Sequence, residues 1–295
     1  MRSEDLSARP LADYHLHTTA SDGRKTPAQM VAQALDTGLC QMAVTDHDTV
    51  AGVLPAVRAA AGRIPVIPGI EFTCREQALA PGQAAVSLHL LGYGIDVADP
   101  ALNAALDARA AAVRTAYDAL LQKLAAAGCP LRYEAIPARG GPNHLELADI
   151  DAAVQAARPG DPALPALRAM VAEHAAVMDR QNIPLPQAVA LIHGAGGLAV
   201  WAHPLNVYRR FHKTGLTLPQ VEQALQHTLL PLGLDGLEAG YRAFAAPDQA
   251  QLAALAAAHG LFCTVGSDCH GCPPRDTLGQ PCPPDWLLAA RCRAL

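Results

Sequence analysis

The sequence predicts an α/β fold of parallel strand–helix units that is interrupted by a long helical insertion. Short apolar runs alternate with helix-like segments over residues 11–97, which is the pattern of β/α units. Residues 99–186 are rich in alanine and show no convincing strand, so we expect a helical insertion there. The alternation then returns. We therefore divide the chain into a first β/α part (1–98), the insertion (99–186) and a second β/α part (187–295).

The first β/α part contains four predicted strands and two predicted helices. An apolar run after Pro10 predicts a buried first strand. The first helix has signals at both ends, because Thr26 is a good N-cap, Pro27 fits the first helical position and Gly38 suits the end. The predicted strands cover residues 11–14, 40–44, 64–70 and 86–91, and the predicted helices cover residues 26–38 and 50–61.

Three further strands and three further helices are predicted after the insertion. A glycine-rich turn at residues 194–197 ends the first of these helices and leads into the fifth strand. The tail to Leu295 is proline-rich and then helical in pattern. The predicted strands cover residues 198–202, 234–239 and 261–265, and the predicted helices cover residues 187–193, 220–230 and 247–259.

Composition and charge argue against several functional classes. The chain has 295 residues, is 51% hydrophobic and has a formal net charge of −5. This acidic balance argues against a broad surface for long nucleic acid, although local cations can still hold a small anion. No stretch approaches the roughly 18 apolar residues of a membrane span, and the first ten residues lack the apolar region of a signal peptide. With eight scattered cysteines expected to stay reduced, we expect a cytoplasmic protein without a membrane or an obligatory protein partner.

Six of the twelve histidines and three carboxylates lie on predicted strands or follow them. His15 and His17 are two residues apart on an extended segment, so their side chains point to the same side. In β/α barrels the functional groups gather at the carboxyl ends of the strands, where these side chains would converge. The whole set is His15, His17, Asp22, His47, Glu71, His89, His203, Asp268 and His270.

This set of imidazoles and carboxylates predicts a metal centre. Such ligands, without thiolate, suit manganese, zinc or iron better than calcium or magnesium. Nine ligands are too many for one ion, so we expect two or three divalent ions, manganese above all, with zinc or iron as alternatives. The ions would outweigh the carboxylates in charge. That suits a phosphate ester, whose oxygens they would clamp while lowering the pKa of a bridging water to about 7.

Seven short motifs resemble the PHP (polymerase and histidinol phosphatase) family, which is grouped with the amidohydrolase superfamily. The resemblance covers residues 12–97 and 187–271. It implies a distorted seven-stranded (β/α) barrel and a metal-dependent phosphoesterase. The motifs are His15-Leu16-His17, Ser21-Asp22-Gly23, Thr45-Asp46-His47-Asp48-Thr49, Pro68-Gly69-Ile70-Glu71, His89-Leu90-Leu91-Gly92, Ala202-His203-Pro204 and Gly266-Ser267-Asp268-Cys269-His270.

The resemblance also implies how the ligands are shared. One ion would be held by His15, His17, Glu71 and Asp268, a second by Glu71, His89 and His203, and a third by Asp22, His47 and His270. Asp46 and Asp48 would then support the ligands or the loop rather than bind metal. His203 and Asp268 are the catalytic candidates, because they would orient the attacking hydroxide or manage its proton.

The insertion resembles that of the subgroup of this family that acts on nucleotides. That subgroup usually has Arg-Pro-His or Arg-Ala-His in the insertion, where this chain reads Pro142-Asn143-His144. The missing arginine argues against an exoribonuclease and favours a small bisphosphate as substrate.

Four residues are predicted to contact this small-molecule nucleotide. Arg114 matches an arginine of the subgroup's long helix and would reach a second phosphate. Arg75 would face the pocket, His144 would contact a phosphate or act as an acid, and Asn206 is a weaker candidate.

We therefore expect a phosphatase that hydrolyses the 3′-phosphate of nucleoside 3′,5′-bisphosphates, giving 5′-nucleotides and phosphate. Three alternatives remain at this point. The first is a 5′-3′ exoribonuclease or oligonucleotide phosphodiesterase, the second is a histidinol phosphatase, and the third is a metal-binding regulatory module without turnover.

Overall fold

The structure is a computed structural model that describes residues 9–138, 144–210, 212–273 and 276–292. The strands are β1 (Leu11–Asp13), β2 (Leu39–Val44), β3 (Val66–Thr73), β4 (His89–Tyr93), β5 (Leu198–Trp201), β6 (Asn206–Arg209), β7 (His212–Gly215), β8 (Gly236–Tyr241), β9 (Phe262–Gly266) and β10 (Gln280–Pro281). The α-helices are α1 (Pro27–Thr37), α2 (Val53–Ala60), α3 (Pro100–Ala126), α4 (Leu147–Ala157), α5 (Leu164–Glu173), α6 (Ala175–Asp179), α7 (Leu185–Gly194), α8 (Leu218–Ala224) and α9 (Ala246–Ala258).

The main sheet curls into a nearly closed barrel. Its strand order is β10-β1-β2-β3-β4-β5-β8-β9. Strands β1 to β3 pair in parallel, and so do β5, β8 and β9. Just beyond β1 the chain meets the end of β9, where the amide of Tyr14 donates to the carbonyl of Val265 (3.1 Å) and the amide of His17 to that of Cys269 (3.0 Å). These bonds bring the two ends of the sheet together, and the predicted α/β class is confirmed.

Strand β4 departs from the predicted run of parallel units. It pairs antiparallel with both β3 and β5. A parallel connection normally needs a crossover helix, and residues 74–88 form none. Instead, Gln77 and Val86 form an antiparallel bridge, so the chain turns back beside β3. The expectation of uniform β/α repetition was wrong for this strand.

Two small strand pairings were not predicted from the sequence. β10 pairs antiparallel with β1, so the main sheet has eight strands rather than seven. Around it the tail forms 3₁₀ turns at Pro284–Trp286 and Leu288–Ala290 instead of the predicted helix, because closely spaced prolines interrupt regular pairing. The hairpin of β6 and β7 was also missed, since β7 is exposed and polar throughout and lacks an apolar alternation.

Helix α1 shows how local sequence sets the element boundaries. The Thr26 hydroxyl accepts from the amide of Gln29, and the Gln29 side chain accepts in return from the amide of Thr26, which forms a capping box. Pro27 begins the helix, and Gly38 ends it with a φ of 78°, a conformation that glycine adopts without steric cost. The predicted ends of this helix are confirmed.

Buried apolar side chains fill the interior of the curved sheet. They come from β1 to β5 and from β9, and include Ile67, Leu91 and Val200. The hydroxyl of Tyr93 donates to the carbonyl of Tyr14 (2.9 Å), which satisfies the polar end of a buried ring. Side chains of the tail belong to the same cluster, so the tail is part of the barrel's core.

Helices α3 to α6 pack around an apolar cluster of their own. It includes Tyr117, Leu120, Leu124, Ile150 and Val171. As predicted, the described residues between 99 and 186 contain no β-strand. That this segment is a separate domain, with the boundaries given above, stays a prediction.

Two further findings concern the chain as a whole. The eight cysteines, all within the described residues, are free thiols. In the same part of the chain, no helix combines the length and the apolar character needed to cross a membrane.

The packing of α3 makes a testable prediction. Replacing Leu120 by alanine is expected to lower the free energy of unfolding by about 2–5 kcal/mol, because a fully buried leucine leaves a cavity. Chemical denaturation followed by circular dichroism measures the change. Leu54→Ala is the control, since Leu54 is 45% exposed on α2 and its loss should cost less than about 0.5 kcal/mol. Equal losses in both variants would contradict the packing described here.

Candidate metal centre

The segment after β1 brings two histidines into a fully buried position. Tyr14 and Leu16 pack into apolar clusters, and the alternation of an extended chain sends His15 and His17 to the other side. Both imidazoles are completely buried. They meet the carboxylates of Glu71, on β3, and Asp268, which follows β9, so the carboxyl ends of several strands supply one cluster.

Glu71 lies at the centre of this cluster and is itself fully buried. Five imidazoles surround its two carboxylate oxygens. Oε2 is 3.1 Å from His15 Nε2, 3.2 Å from His17 Nε2 and 3.3 Å from His47 Nδ1, and Oε1 is 3.0 Å from His89 Nδ1 and 3.3 Å from His203 Nε2.

Three overlapping groups place ligand atoms within 4.8 Å of one another, namely His15–His17–Glu71–Asp268, His17–Asp22–His47–His270 and His47–Glu71–His89. The first coincides with the set that the resemblance implied. The second adds His17 to an implied set, and the third contains His47 where His203 was expected. Eight of the nine predicted ligands belong to these groups. His203 belongs to none of them but reaches Glu71 Oε1 with its Nε2 at 3.3 Å. That any of the nine binds metal stays a prediction.

The side chains fit divalent ions better than they fit one another. Several buried atoms approach potential partners, yet form no hydrogen bond of acceptable geometry within the described residues. These atoms are His15 Nε2, both ring nitrogens of His17, His47 Nδ1 and Glu71 Oε2. A buried polar atom without a partner is costly. Imidazole and carboxylate lone pairs that share a point in space are suitable donors for a divalent ion, so the cluster suggests bound divalent metals.

Glu238, on β8, supports two of these histidines but was not among the predicted site residues. Its buried carboxylate accepts from His15 Nδ1 (2.9 Å) and from the backbone amide of His203 (2.8 Å). Fixing Nδ1 as a donor leaves Nε2 of His15 to bind a metal. Gly266 makes room for this contact, since a Cβ there would lie 2.1 Å from Glu238 Oε1. A signal was present, because Glu238 also stands near the carboxyl end of a predicted strand.

Two of the predicted ligands have strained backbones. His203 and Asp268 adopt φ values of 31° and 54°, where residues other than glycine are uncommon. Hydrogen bonds hold both side chains in place. His203 Nδ1 contacts the carbonyl of Asn206 (2.9 Å), and the hydroxyl of Tyr241 donates to Asp268 Oδ2 (2.9 Å). Such strain persists only where the surroundings determine the conformation, as is common at functional sites.

Asp46 and Asp48 have supporting roles, in line with the expectation for them. Asp46 accepts from the amide and hydroxyl of Thr18 (2.6 and 2.8 Å) and from the hydroxyl of Ser21 (2.7 Å), which fixes the loop that carries Asp22. Asp48 accepts from the amide of Thr73 (3.1 Å), and Arg109 completes its environment at 2.8 Å.

The charged groups of the cluster shift one another's pKa values. Burial raises the pKa of Glu71, but the surrounding imidazoles, His15 foremost, outweigh it and hold that pKa well below its usual range. Burial lowers the pKa of His17, but the carboxylates of Asp268 and Glu71 outweigh it and raise that pKa to about 10. Without metal, this raised pKa favours the protonated form of His17 at neutral pH, in which it balances the charge of the carboxylates.

A cavity of about 600 Å³ opens beside the cluster. Of the predicted substrate contacts, Arg114 and His144 line it, with the His144 ring 5.9 Å from that of His47. Arg75 and Asn206 are not among its lining residues. The guanidinium of Arg75 donates to a backbone carbonyl instead, which corrects the expectation that it faces the pocket.

The wall of the cavity also contains an arginine that was not predicted to lie there. Arg109 lines the cavity, although this residue was not among the predicted substrate contacts. Its ion pair with Asp48 depends on tertiary packing, so no local signal marked it. The motif position with the missing arginine cannot be compared, because Pro142 and Asn143 lie outside the described residues.

The chain is similar to a known protein family and to several known proteins. The PHP domain profile matches residues 13–193. A 3′,5′-nucleoside bisphosphate phosphatase of Chromobacterium violaceum is 31% identical over 274 residues, which cover 88% of this chain and 86% of that protein. A 5′-3′ exoribonuclease of Salmonella typhimurium is 27% identical over 300 residues, covering 97% and 90%. Among solved structures, a metal-dependent phosphoesterase from Bifidobacterium adolescentis has a TM-score of 0.67 at 27% identity, covering 93% and 92%.

The contact between Glu238 and His15 makes a prediction about metal affinity. Glu238→Gln keeps the shape of the side chain but removes the charge that orients His15. We expect the affinity for Mn²⁺ to fall by roughly tenfold to a hundredfold while the fold is retained. Titration against a competing chelator measures this. Glu222→Gln on the exposed side of α8 is the charge-matched control. Unchanged affinity in Glu238→Gln would refute the supporting role.

The raised pKa of His17 predicts how the stability of the metal-free protein depends on pH. A histidine whose pKa rises on folding stabilises the folded state below its unfolded pKa, and this stabilisation is lost as the pH rises through the folded value. For His17 the window runs from about 6.5 to about 10. The free energy of unfolding in excess chelator should fall across that window. His17→Gln should flatten the profile, and an identical slope in this variant would assign the effect to other groups.

Proposed function

The chain belongs to the PHP-domain family, and from that membership we propose that it is a metal-dependent phosphatase acting on nucleoside 3′,5′-bisphosphates. It would hydrolyse the 3′-phosphate and leave a 5′-nucleotide and phosphate. The family's named phosphoesterases indicate a phosphate-ester hydrolase in general terms. The bisphosphate substrate is our more specific proposal.

The observation that supports this proposal most strongly is the cavity beside the histidine–carboxylate cluster, four of whose residues, Asp22, His47, His89 and His270, line it. Its volume of about 600 Å³ lies within the range of small-molecule sites and suits a single nucleotide. Tyr117, Tyr133 and Tyr208 also line it. Aromatic rings offer surfaces on which a base can stack with little regard to its identity. The phosphatase relative at 31% identity bears a name that fits such a ligand.

The nine clustered residues would hold two or three divalent ions, with Mn²⁺ as our proposal for a donor set of nitrogen and oxygen atoms. Bound there, divalent ions supply positive charge to the phosphate oxygens and lower the pKa of water. The protein's own side chains orient the reacting groups. Tyr241 fixes one oxygen of Asp268 (2.9 Å), and the Asn206 carbonyl fixes Nδ1 of His203 (2.9 Å), so that Nε2 faces the centre. We assign to these two residues the orientation of the attacking water and the handling of its proton.

A second candidate is a 5′-3′ exoribonuclease, because the relative with that name covers 97% of this chain. The charge of the cavity wall favours the smaller substrate. The described lining residues include six carboxylates but only two arginines. The carboxylates are Asp22, Asp48, Glu76, Asp107, Glu146 and Asp179. A strand carrying several phosphates would meet repulsion along such a wall, whereas a single nucleotide can rest on the metal centre and a few cations.

A substrate comparison tests the proposal. Mn-loaded protein should have a higher kcat/KM on adenosine 3′,5′-bisphosphate than on a 5′-phosphorylated trinucleotide, and a chelator should abolish both activities. Asp268→Asn should lower kcat by several orders of magnitude because it removes a ligand carboxylate. Asp36→Asn, at an exposed position of α1 away from the residues that line the cavity, is the control, and its kcat should stay within about twofold of the wild type. A clear preference for the trinucleotide would move the assignment to the exoribonuclease.

A further inference from the structure

The arginines that line the cavity are already paired with carboxylates. Among the described lining residues, the Arg and Lys side chains are Arg109 and Arg114. Arg109 is 2.8 Å from Asp48. Arg114 contacts Asp118 at 3.1 Å and Glu134 at 2.9 Å. A phosphate that bound either guanidinium would have to compete with these carboxylates, so neither arginine is a strong candidate for the non-reacting phosphate of the substrate.

The hairpin of β6 and β7 reaches the same cavity from another side. Tyr208, on β6, lines the cavity, and its ring stacks on that of the predicted ligand His89, with the centroids 4.6 Å apart. Backbone hydrogen bonds of 2.8 Å in both directions join Tyr208 to Ser87, just before β4. The hairpin is therefore fixed beside the metal centre.

Lys213, on β7, is the residue directly opposite Tyr208 in this hairpin. Side chains that are opposite each other in an antiparallel pair lie on the same face, with Cβ atoms about 5 Å apart. The alternation along β6 supports this reading, because Val207 is fully buried against the core on the other face. Lys213 thus stands on the same face of the hairpin as Tyr208, outside the set of residues that line the cavity itself.

The ammonium of Lys213 has no competing carboxylate among the described residues. The side chain is exposed, and no ion pair joins it to that part of the chain. Lysine carries a compact charge on a flexible stem, so it can follow a phosphate at the mouth of a cavity. In this respect it differs from both paired arginines.

We propose that Lys213 binds the non-reacting phosphate of the substrate, which rests on the proposed function and in a nucleoside 3′,5′-bisphosphate is the 5′-phosphate. With the 3′-phosphate at the metal centre, the base would lie against the tyrosines and the 5′-phosphate would meet the hairpin. This assigns to Lys213 the role that was predicted from the sequence for Arg114, with His144 and Arg75 as further candidates. The hairpin then selects for substrates with a second phosphate, since a remote contact of this kind helps to orient the reacting end.

The test compares Lys213→Gln with Arg209→Gln. Arg209 is exposed on the same hairpin, but its side chain lies on the face of Val207, opposite to that of Tyr208 and Lys213. Its variant therefore removes the same charge from the other face of the hairpin. We measure kcat/KM on adenosine 3′,5′-bisphosphate and on adenosine 3′-phosphate, with metal present. In Lys213→Gln the ratio of the two values should fall by roughly tenfold to a hundredfold, as expected for a lost charge-assisted contact. In Arg209→Gln the ratio should stay within about twofold of the wild type.

Other outcomes would overturn the assignment. An unchanged ratio in Lys213→Gln refutes it, and equal falls in both variants would reflect the general charge of the hairpin. Calorimetric binding of adenosine 5′-phosphate separates this inference from the proposed function, because it needs no turnover. If the wild type fails to hydrolyse the bisphosphate, the proposed function is wrong. The phosphate contact of Lys213 is then tested by the binding of adenosine 5′-phosphate alone. Weaker binding to Lys213→Gln than to Arg209→Gln supports the contact, and equal binding to the two variants refutes it.

Discussion

The buried carboxylate of Glu71 is the constraint on which the rest of the structure depends. An ionised carboxylate without counter-charge is very costly to bury, and Glu71 is fully buried among five imidazoles. Those imidazoles come from chain segments that are far apart in sequence and meet only when the sheet curls on itself. The cluster therefore requires the closed barrel. Because metal ions compete with protons for the same nitrogens, metal binding is coupled to folding stability.

The same constraint explains where the fold tolerates local cost. His203 and Asp268 occupy left-handed backbone conformations, and Gly266 leaves Glu238 a space that no Cβ could share. Each feature would destabilise an ordinary barrel. Here each one brings a predicted ligand atom to the cluster or holds an imidazole of the cluster in one orientation. The backbone conformations at these positions cost free energy, and they persist because the geometry of the cluster requires them and the interior packing of the sheet offsets the cost.

The sequence predicted which imidazoles and carboxylates converge because their signals are local. His15 and His17 alternate on one strand, and most of the other ligands follow apolar runs, so their convergence follows from the β/α pattern alone. The ends of α1 were also local, through Thr26 and Gly38. The direction of β4 was not, because it depends on how residues 74–88 fold back onto β3. Glu238 and Arg109 were missed for a similar reason: their roles depend on partners elsewhere in the chain that only the tertiary structure identifies.

The charge of the cavity wall has a consequence for recognition. Six carboxylates and two paired arginines make the described wall a poor site for an anion in the absence of metal. Attraction of a phosphate must then come from ions held by the histidine–carboxylate cluster and from cations at the rim. Under the proposed function, substrate binding would therefore depend on metal occupancy, since the carboxylates repel a phosphate until divalent ions add positive charge. The hairpin beside His89 stands where a cation at the rim can add to the charge of those ions.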